Sequence, residues 1–449
     1  MKTLIYQRLR RKPSTGEEQP CPDTDRALSP LSSIGDDILL EILLRLSDFK
    51  CIVECASVCK RWLSAIIIIR RLNHHHCQKT LNDSSSLPST ASLPFTLLFR
   101  GSYRSVAGLP LYHRMRRDCS LSFEFFSEGS KILEYGQSSA LEILGWKGDN
   151  NYAYLWSFFN DLLLVEQSPE RLYLCNPFTR QCVGLPLSPN SFHQLYRYAL
   201  VVLGYDENLM IEYKVVKIST KVNNFIGVVP LLLHLAIFCS KTGQWSHSSF
   251  KLGVPLNIWH HQSASVGSNG IVYWPYGCKE FQGIVALDSC SELCRLIDLP
   301  FDWDWRYCVD SMARVGVVHG RLRLVQLFWH EKNESYVFKA WERVDEDDYE
   351  VCGWNLVHNH VQMVMRFECC VSFSQLAILA FHPCDGDVFF FSRSNGDVGD
   401  EVEVSQCRIL GQNQCQIETL CHLPPKSPAN SHVVSLLHPS WPTQIPHYS

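Results

Sequence analysis

The chain lacks most of the signatures that commit a protein to an obvious chemistry. The first residues, MKTLIYQRLRRKP, hold only a short apolar patch before a basic run, without the apolar middle and small-residue cleavage site of a signal peptide. The longest apolar run near the start is residues 65–69, far too short to cross a bilayer. Charge of one sign is also missing. The 41 Lys and Arg residues face 45 Asp and Glu residues, a net charge of −4, so the basic footprint of a nucleic-acid binder is absent. These features point away from membrane and nucleic-acid partners and toward a cytoplasmic or nuclear protein.

Reactive motifs are scarce as well. No two cysteines are separated by two residues, which removes the usual spacing of zinc ribbons and RING domains. There is no G-x-S-x-G elbow, no Walker A loop and no H-E-x-x-H; His330-Glu331 continues as Lys332-Asn333-Glu334. The acidic run Asp345–Asp348 lacks the alternating ligands and glycine of an EF-hand. No catalytic, metal-binding or cofactor-binding residue is therefore expected.

Against these absences stand 449 residues, 46% hydrophobic and 12% aromatic, with only 19% charged. That composition is too apolar for a disordered chain and suits a strand-rich interior. The 20 cysteines would suggest disulfides in a short secreted chain. Here they read as reduced, mostly buried packing residues. Cys51, Cys55 and Cys59 lie one helical turn apart; with His74, His75 and His76 they make a conceivable metal site, but helix packing is the preferred reading. The same holds for Cys290 and Cys294.

Patterning divides the chain. Residues 1–30 are polar and rich in Pro, Ser and Glu, as in a disordered tail; the basic residues 8–12 in it read as solvated charge rather than a nuclear signal. Residues 31–70 carry helical periodicity in Ile38, Leu39, Ile42, Leu43 and Leu46, then in Ile52, Cys55, Val58, Cys59, Trp62 and Ile66. Asp36 and Asp37 suit the first helix start, and Ser47-Asp48 a second. Residues 71–94 form a polar linker. Residues 95–440 alternate short apolar runs with turn residues, and 441–449 are a tail. The expected fold class is α+β multidomain: a small all-α module followed by a large all-β, propeller-like domain. About 40 residues cannot bury enough surface to stand alone. Either the helical unit packs back on the large domain or it docks on the helices of another protein.

Ile34-Gly35-Asp36-Asp37-Ile38-Leu39-Leu40-Glu41-Ile42-Leu43-Leu44-Arg45-Leu46, followed by Ser57-Val58-Cys59-Lys60-Arg61-Trp62, resembles an F-box. Gly35 and Ser47 stand where that family usually has proline, which loosens the two turns and leaves the apolar pattern intact. The resemblance implies docking on a Skp-type adaptor and, through it, on cullin and RING subunits of a modular ubiquitin ligase. It assigns Ile34, Ile38, Leu39, Ile42, Leu43, Leu46, Val58 and Trp62 to the docking surface or its support, with Trp62 as the expected anchor.

The large domain carries a degenerate repeat. A strand runs into a polar turn at Asn176, Ser240 and Asp288, with further candidates at Val337–Trp341 and Leu379–Pro383. Spacings near 40–50 residues fit four-stranded propeller blades, with a β-sandwich as the other reading. Cys175–Arg180 with Leu185-Pro186, Leu203–Asp206 with Tyr213–Ile218, and Asn269–Trp274 resemble the F-box-associated, kelch-like domains of plant F-box proteins. The absence of any Gly-Gly pair departs from kelch repeats. The Phe301-Asp302-Trp303-Asp304-Trp305 run alternates aromatics with acids and reads either as blade packing or as part of a recognition surface.

On this resemblance the chain is a non-catalytic substrate receptor that holds an unidentified target protein for ubiquitination and proteasomal degradation. The other readings are a propeller enzyme with its site in the central channel, and a scaffold that binds the adaptor without driving degradation.

Overall fold

The computed structural model describes residues 35–45, 55, 58, 59, 61, 62, 64–66, 95–100, 123–127, 154–168, 171–177, 181–188, 194–205, 210–221, 232–251, 264–267, 269–277, 281–304, 313–330, 335–344, 353–363, 376–382, 385–393, 402–411, 414–423, 433–437, 443 and 445. The chain divides into two compact units, residues 1–91 with 439–442 and residues 92–438 with 443–449.

In the first unit, helix α1 spans Asp36–Arg45. Asp36 and Asp37 occupy its first turn and Arg45 its last, each complementing the helix dipole. The Leu39 N–H donates to the Gly35 carbonyl at 3.0 Å, closing the first turn. Arg45 pairs with Glu41 one turn earlier at 3.0 Å. The described residues from 55 to 66 are also helical, except Cys59. Arg61 donates from Nε to Asp36 Oδ1 at 2.8 Å, which ties this stretch to the start of α1. Among the described residues no helix is long and apolar enough to cross a membrane.

Among the described residues the regular elements of the second unit are all strands. β1 (Phe95–Arg100) and β2 (Phe123–Ser127) are followed by five four-stranded antiparallel sheets, each formed by consecutive strands. The first blade holds β3 (Tyr154–Phe159), β4 (Leu162–Ser168), β5 (Arg171–Asn176) and β6 (Gln181–Gly184). The second holds β7 (Gln194–Tyr205), β8 (Ile211–Lys221), β9 (Leu232–Cys239) and β10 (Gln244–Lys251). The third holds β11 (Ser265–Val266), β12 (Ile271–Tyr276), β13 (Gly283–Asp288) and β14 (Cys294–Ile297). The fourth holds β15 (Ala313–Val318), β16 (Arg321–His330), β17 (Ser335–Val344) and β18 (Gly353–Met363). The fifth holds β19 (Leu376–Phe381), β20 (Val388–Arg393), β21 (Val402–Ile409) and β22 (Cys415–Leu423). Last comes β23 (Val433–Leu437), which pairs with β1 and so joins β1 and β2 in a three-stranded sheet.

The first strand of each blade touches the first strand of the next, from β3 to β7, β11, β15 and β19. β23 then bridges β19 and β3. The ring is therefore closed by a sheet that combines strands from both ends of the domain. The sandwich reading is set aside: among the described residues this is a β-propeller with five four-stranded blades and the three-stranded closing sheet.

Between blades lie separate apolar cores. Tyr198, Leu200, Leu174 and Phe238 pack between the first and second blades, and Val201, Ile218, Trp274 and Val285 between the second and third. Trp341, Leu324 and Ile284 fill the third interface, Phe338, Leu327 and Phe389 the fourth. Each fully buried side chain of this size is worth roughly 1.5–3 kcal/mol. Contact is close enough that a Cβ on Gly316 of β15 would lie 2.2 Å from the Phe381 ring of the neighbouring blade.

The turns follow their residues. His319 and Gly320 both have positive φ, 50° and 79°, as a two-residue hairpin turn with matched twist requires. Asp288 caps its own turn: its Oδ1 accepts from Cys290 N at 2.8 Å and its Oδ2 from the Ser291 hydroxyl at 2.6 Å. Ser240 and Asn176 act differently from that expectation. Ser240 Oγ accepts from Tyr213 N at 2.9 Å, and Asn176 reaches two distant segments. The repeat at Val337–Trp341 does fall on the third strand of a blade, but Leu379–Phe381 lies on the first strand β19, so it is not equivalent to the others.

The stretch 441–449, expected as a tail, contributes two buried residues to the propeller. Asp161 Oδ2 accepts from Thr443 N at 2.7 Å and Oδ1 from Thr443 Oγ1 at 2.5 Å. Asn176 Nδ2 donates to Asp161 Oδ2 at 2.7 Å and to the Thr443 carbonyl at 3.0 Å. Ile445 packs in the core between the first two blades. An apolar side chain and a hydroxyl matched to a buried carboxyl explain why these two residues are buried.

Candidate functional site

Two surfaces carry the residues that the sequence singles out. The first is the helical unit. Its apolar residues split by face. Leu39, Leu40 and Leu43 are buried, whereas Ile38 and Ile42, one turn apart, are 59% and 38% exposed. Val58 is 51% exposed. Trp62 is half-buried, and Ala65 and Ile66 are buried. Of the residues assigned to docking, Ile38, Ile42 and Val58 thus offer apolar surface, Leu39 and Leu43 support it from beneath, and Trp62 lies between these roles. Ile34 and Leu46 lie outside the described residues, as do Cys51, the His74–His76 run and the Asp345–Asp348 run.

The second surface is on the propeller. The turn after β14 runs from Asp298 to Asp304 and holds most of the aromatic-acidic run; Trp305 lies outside the described residues. Trp303 is buried, 5.4 Å from the Phe281 ring and 5.6 Å from the Trp341 ring. Asp302 Oδ1 accepts from Trp341 Nε1 at 2.8 Å, and its Oδ2 pairs with Lys339 Nζ at 3.0 Å. Asp304 N donates to Gln326 Oε1 at 3.1 Å, while Gln326 Nε2 donates back to the Asp304 carbonyl at 2.6 Å. The Trp303 N–H closes the turn on the Pro300 carbonyl at 3.1 Å. Four consecutive residues therefore divide their work. Three anchor the turn, and the fourth, Phe301, stands fully exposed. The packing reading holds for Trp303, while Phe301 is exposed.

Beside the turn, His360 carries a positive φ of 52° and stacks edge-on against Phe328 at 5.6 Å. Burial, then the Lys339 and His330 charges, lower its pKa, so the ring is neutral at neutral pH. His358 is lowered too, first by burial, against the pull of Asp387 at 3.1 Å. Among the described residues no group of three or more His, Cys, Asp or Glu side chains converges to hold a metal ion. What this turn exposes is one aromatic ring, Phe301. The alternation of aromatics and acids was the only sequence signal for it, and it did not separate the packed ring from the exposed one.

The fold defines a β-propeller protein. Residues 127–406 match the family described as F-box protein At3g26010-like, beta-propeller, and the chain belongs to that family. No curated protein matches. Among solved structures, "YCF48 bound to D1 peptide" is 10% identical with a TM-score of 0.35, covering 66% of this chain and 75% of its own. A protein from Lactobacillus plantarum is 11% identical with a TM-score of 0.33, covering 77% and 100%. An alpha-L-arabinofuranosidase from Lactobacillus brevis is 11% identical with a TM-score of 0.29, covering 64% and 89%.

Proposed function

We propose that the chain is the substrate receptor of a Skp-cullin-F-box ubiquitin ligase, acting in the cytoplasm or nucleus. The helical unit docks on a Skp-type adaptor through Ile38, Ile42 and Val58, with Ile34, Leu46 and Trp62 completing the surface and Leu39 and Leu43 supporting it. Cullin and RING subunits join through the adaptor. The propeller holds a target protein, and Phe301 is its first anchor. Catalysis is by proximity: the target's lysines are kept near a conjugating enzyme carried by other subunits, so the receptor needs no reactive group or cofactor of its own.

The observation that carries this reading is the exposed Ile38/Ile42 stripe on a helix in a chain of an F-box protein family. An amphipathic helix that leaves β-branched residues facing solvent, above leucines that are already buried, has apolar surface to spare. Phe301 supports the second half. A large ring on a turn held by side-chain and backbone hydrogen bonds loses little freedom on binding, which is what an interface anchor needs.

Full-length protein mixed with adaptor, cullin and RING subunits should elute as one complex. In cells, Phe301→Ala should keep the adaptor and lose target proteins that the unchanged chain captures. Identical captured sets for both chains would remove Phe301 from the target surface.

A further inference from the structure

The receptor role uses none of the cysteines, yet two of them face each other directly. Cys175 on β5 and Cys182 on β6 are register partners across an antiparallel pair. The phase of that ladder is fixed by a nearby bond, in which the Leu185 N–H donates to the Leu172 carbonyl at 2.9 Å. Leu172 and Leu185 are thus a hydrogen-bonded pair, and strict alternation puts Leu174/Val183 in the same class and Cys175/Cys182 in the other. Non-hydrogen-bonded partners have Cα atoms about 4.5 Å apart and their side chains closest together. A disulfide needs a Cα spacing of roughly 4.4–6.8 Å. A register pair of this class therefore has the spacing that a disulfide requires, near the short end of the range.

The two thiols differ in access. Cys175 is buried and Cys182 half-buried. Burial, and then the adjoining Cys182 thiol, push the Cys175 pKa up. The outer thiol is therefore the one that meets an oxidant first.

We propose that Cys175 and Cys182 form a reversible dithiol-disulfide site that exchanges with small-molecule disulfides. The Cys182 thiolate attacks one sulfur of the small disulfide, forms a mixed disulfide and releases one small thiolate. Cys175 then loses its proton, attacks the Cys182 sulfur and expels the second small thiol. The protein gives up two electrons and two protons, and the oxidant leaves as two thiols. Because burial keeps Cys175 protonated, the second step is the slower. The next residue is Asn176, which holds Asp161 and Thr443, so the bond would clamp the strand end beside the buried carboxylate.

Full-length protein is incubated with oxidised glutathione, the remaining thiols are alkylated, and digested peptides are mapped by mass. The expected product links Cys175 to Cys182, and reduced glutathione restores both thiols. Cys182→Ser removes the link. Cys175→Ser leaves glutathione trapped on Cys182, showing the order of attack. Alkylation of both thiols after oxidation, glutathione persisting on Cys182 of the unchanged chain, or a link that reduced glutathione does not reverse would each overturn the proposal.

Discussion

At the residue scale the buried carboxyl of Asp161 accepts three hydrogen bonds, from Thr443 and Asn176. Burial raises its pKa, while donors from Thr443 and Asn176 pull it back. The carboxyl accepts from the backbone N–H and the hydroxyl of Thr443 and from the Asn176 amide, so its buried oxygens have partners. Asp161→Asn turns an NH2 group toward those donors, and Thr443→Ala deletes one of them. Each should lower the unfolding free energy by about 1–3 kcal/mol in denaturant titrations, with Asp161→Asn the larger. His382 gives a pH dependence of definite sign. It is buried, and burial, then Arg408, against Asp385, lowers its pKa to about 4. The unfolded chain binds this proton near pH 6.5, so the contribution is fully present above that value and is lost as the pH falls toward 4. The loss should approach about 3 kcal/mol. Melting curves from pH 7.5 to 4.5 should show this slope, and His382→Gln should flatten it.

At the scale of elements, what was legible in the sequence depended on period. The helical spacing of Ile38, Leu39, Ile42 and Leu43 placed α1, and the acidic pair Asp36-Asp37 marked its start at the observed residue. The period could not say which apolar residues pack inward; Ile38 and Leu39 are adjacent, and one is exposed while the other is buried. The polar turns at Asn176, Ser240 and Asp288 marked the third strands of three blades. Their side-chain roles differ: Asp288 accepts from donors within its own turn, at Cys290 and Ser291, whereas Ser240 and Asn176 bond to other segments. The inner strand β19 was read as a third strand because both are short apolar runs that end in a polar turn. Partners distant in sequence were out of reach: nothing local to Thr443 points to Asp161, which lies 282 residues away. At the turn after β14, Phe301→Ala should leave the melting temperature unchanged, since the ring touches solvent, while Trp303→Ala should cost about 3–5 kcal/mol as a core truncation.

At the scale of the whole molecule, ring closure decides what the ends of the domain do. β23 and β1 come from opposite ends of the second unit and pair along five residues. Closure leaves the ring no open edge between the fifth and first blades. The residues after β23 add the Thr443 and Ile445 contacts to the first blade. Under the proposed function, a ring tied in this way would be the platform that keeps a bound target within reach of an enzyme held by other subunits. In the helical unit Ile38 and Ile42 leave an apolar stripe exposed, which under the proposed function an adaptor protein covers.

The most direct test of that division is a binding titration of the full-length chain against a purified Skp-type adaptor, comparing the unchanged chain with Ile38→Asp/Ile42→Asp. Both substitutions fall on exposed positions, so the helical signal in circular dichroism should be kept. The account predicts saturable binding by the unchanged chain and at least a tenfold loss of affinity in the double variant. Equal affinity for both chains, or no binding by the unchanged chain, would contradict it.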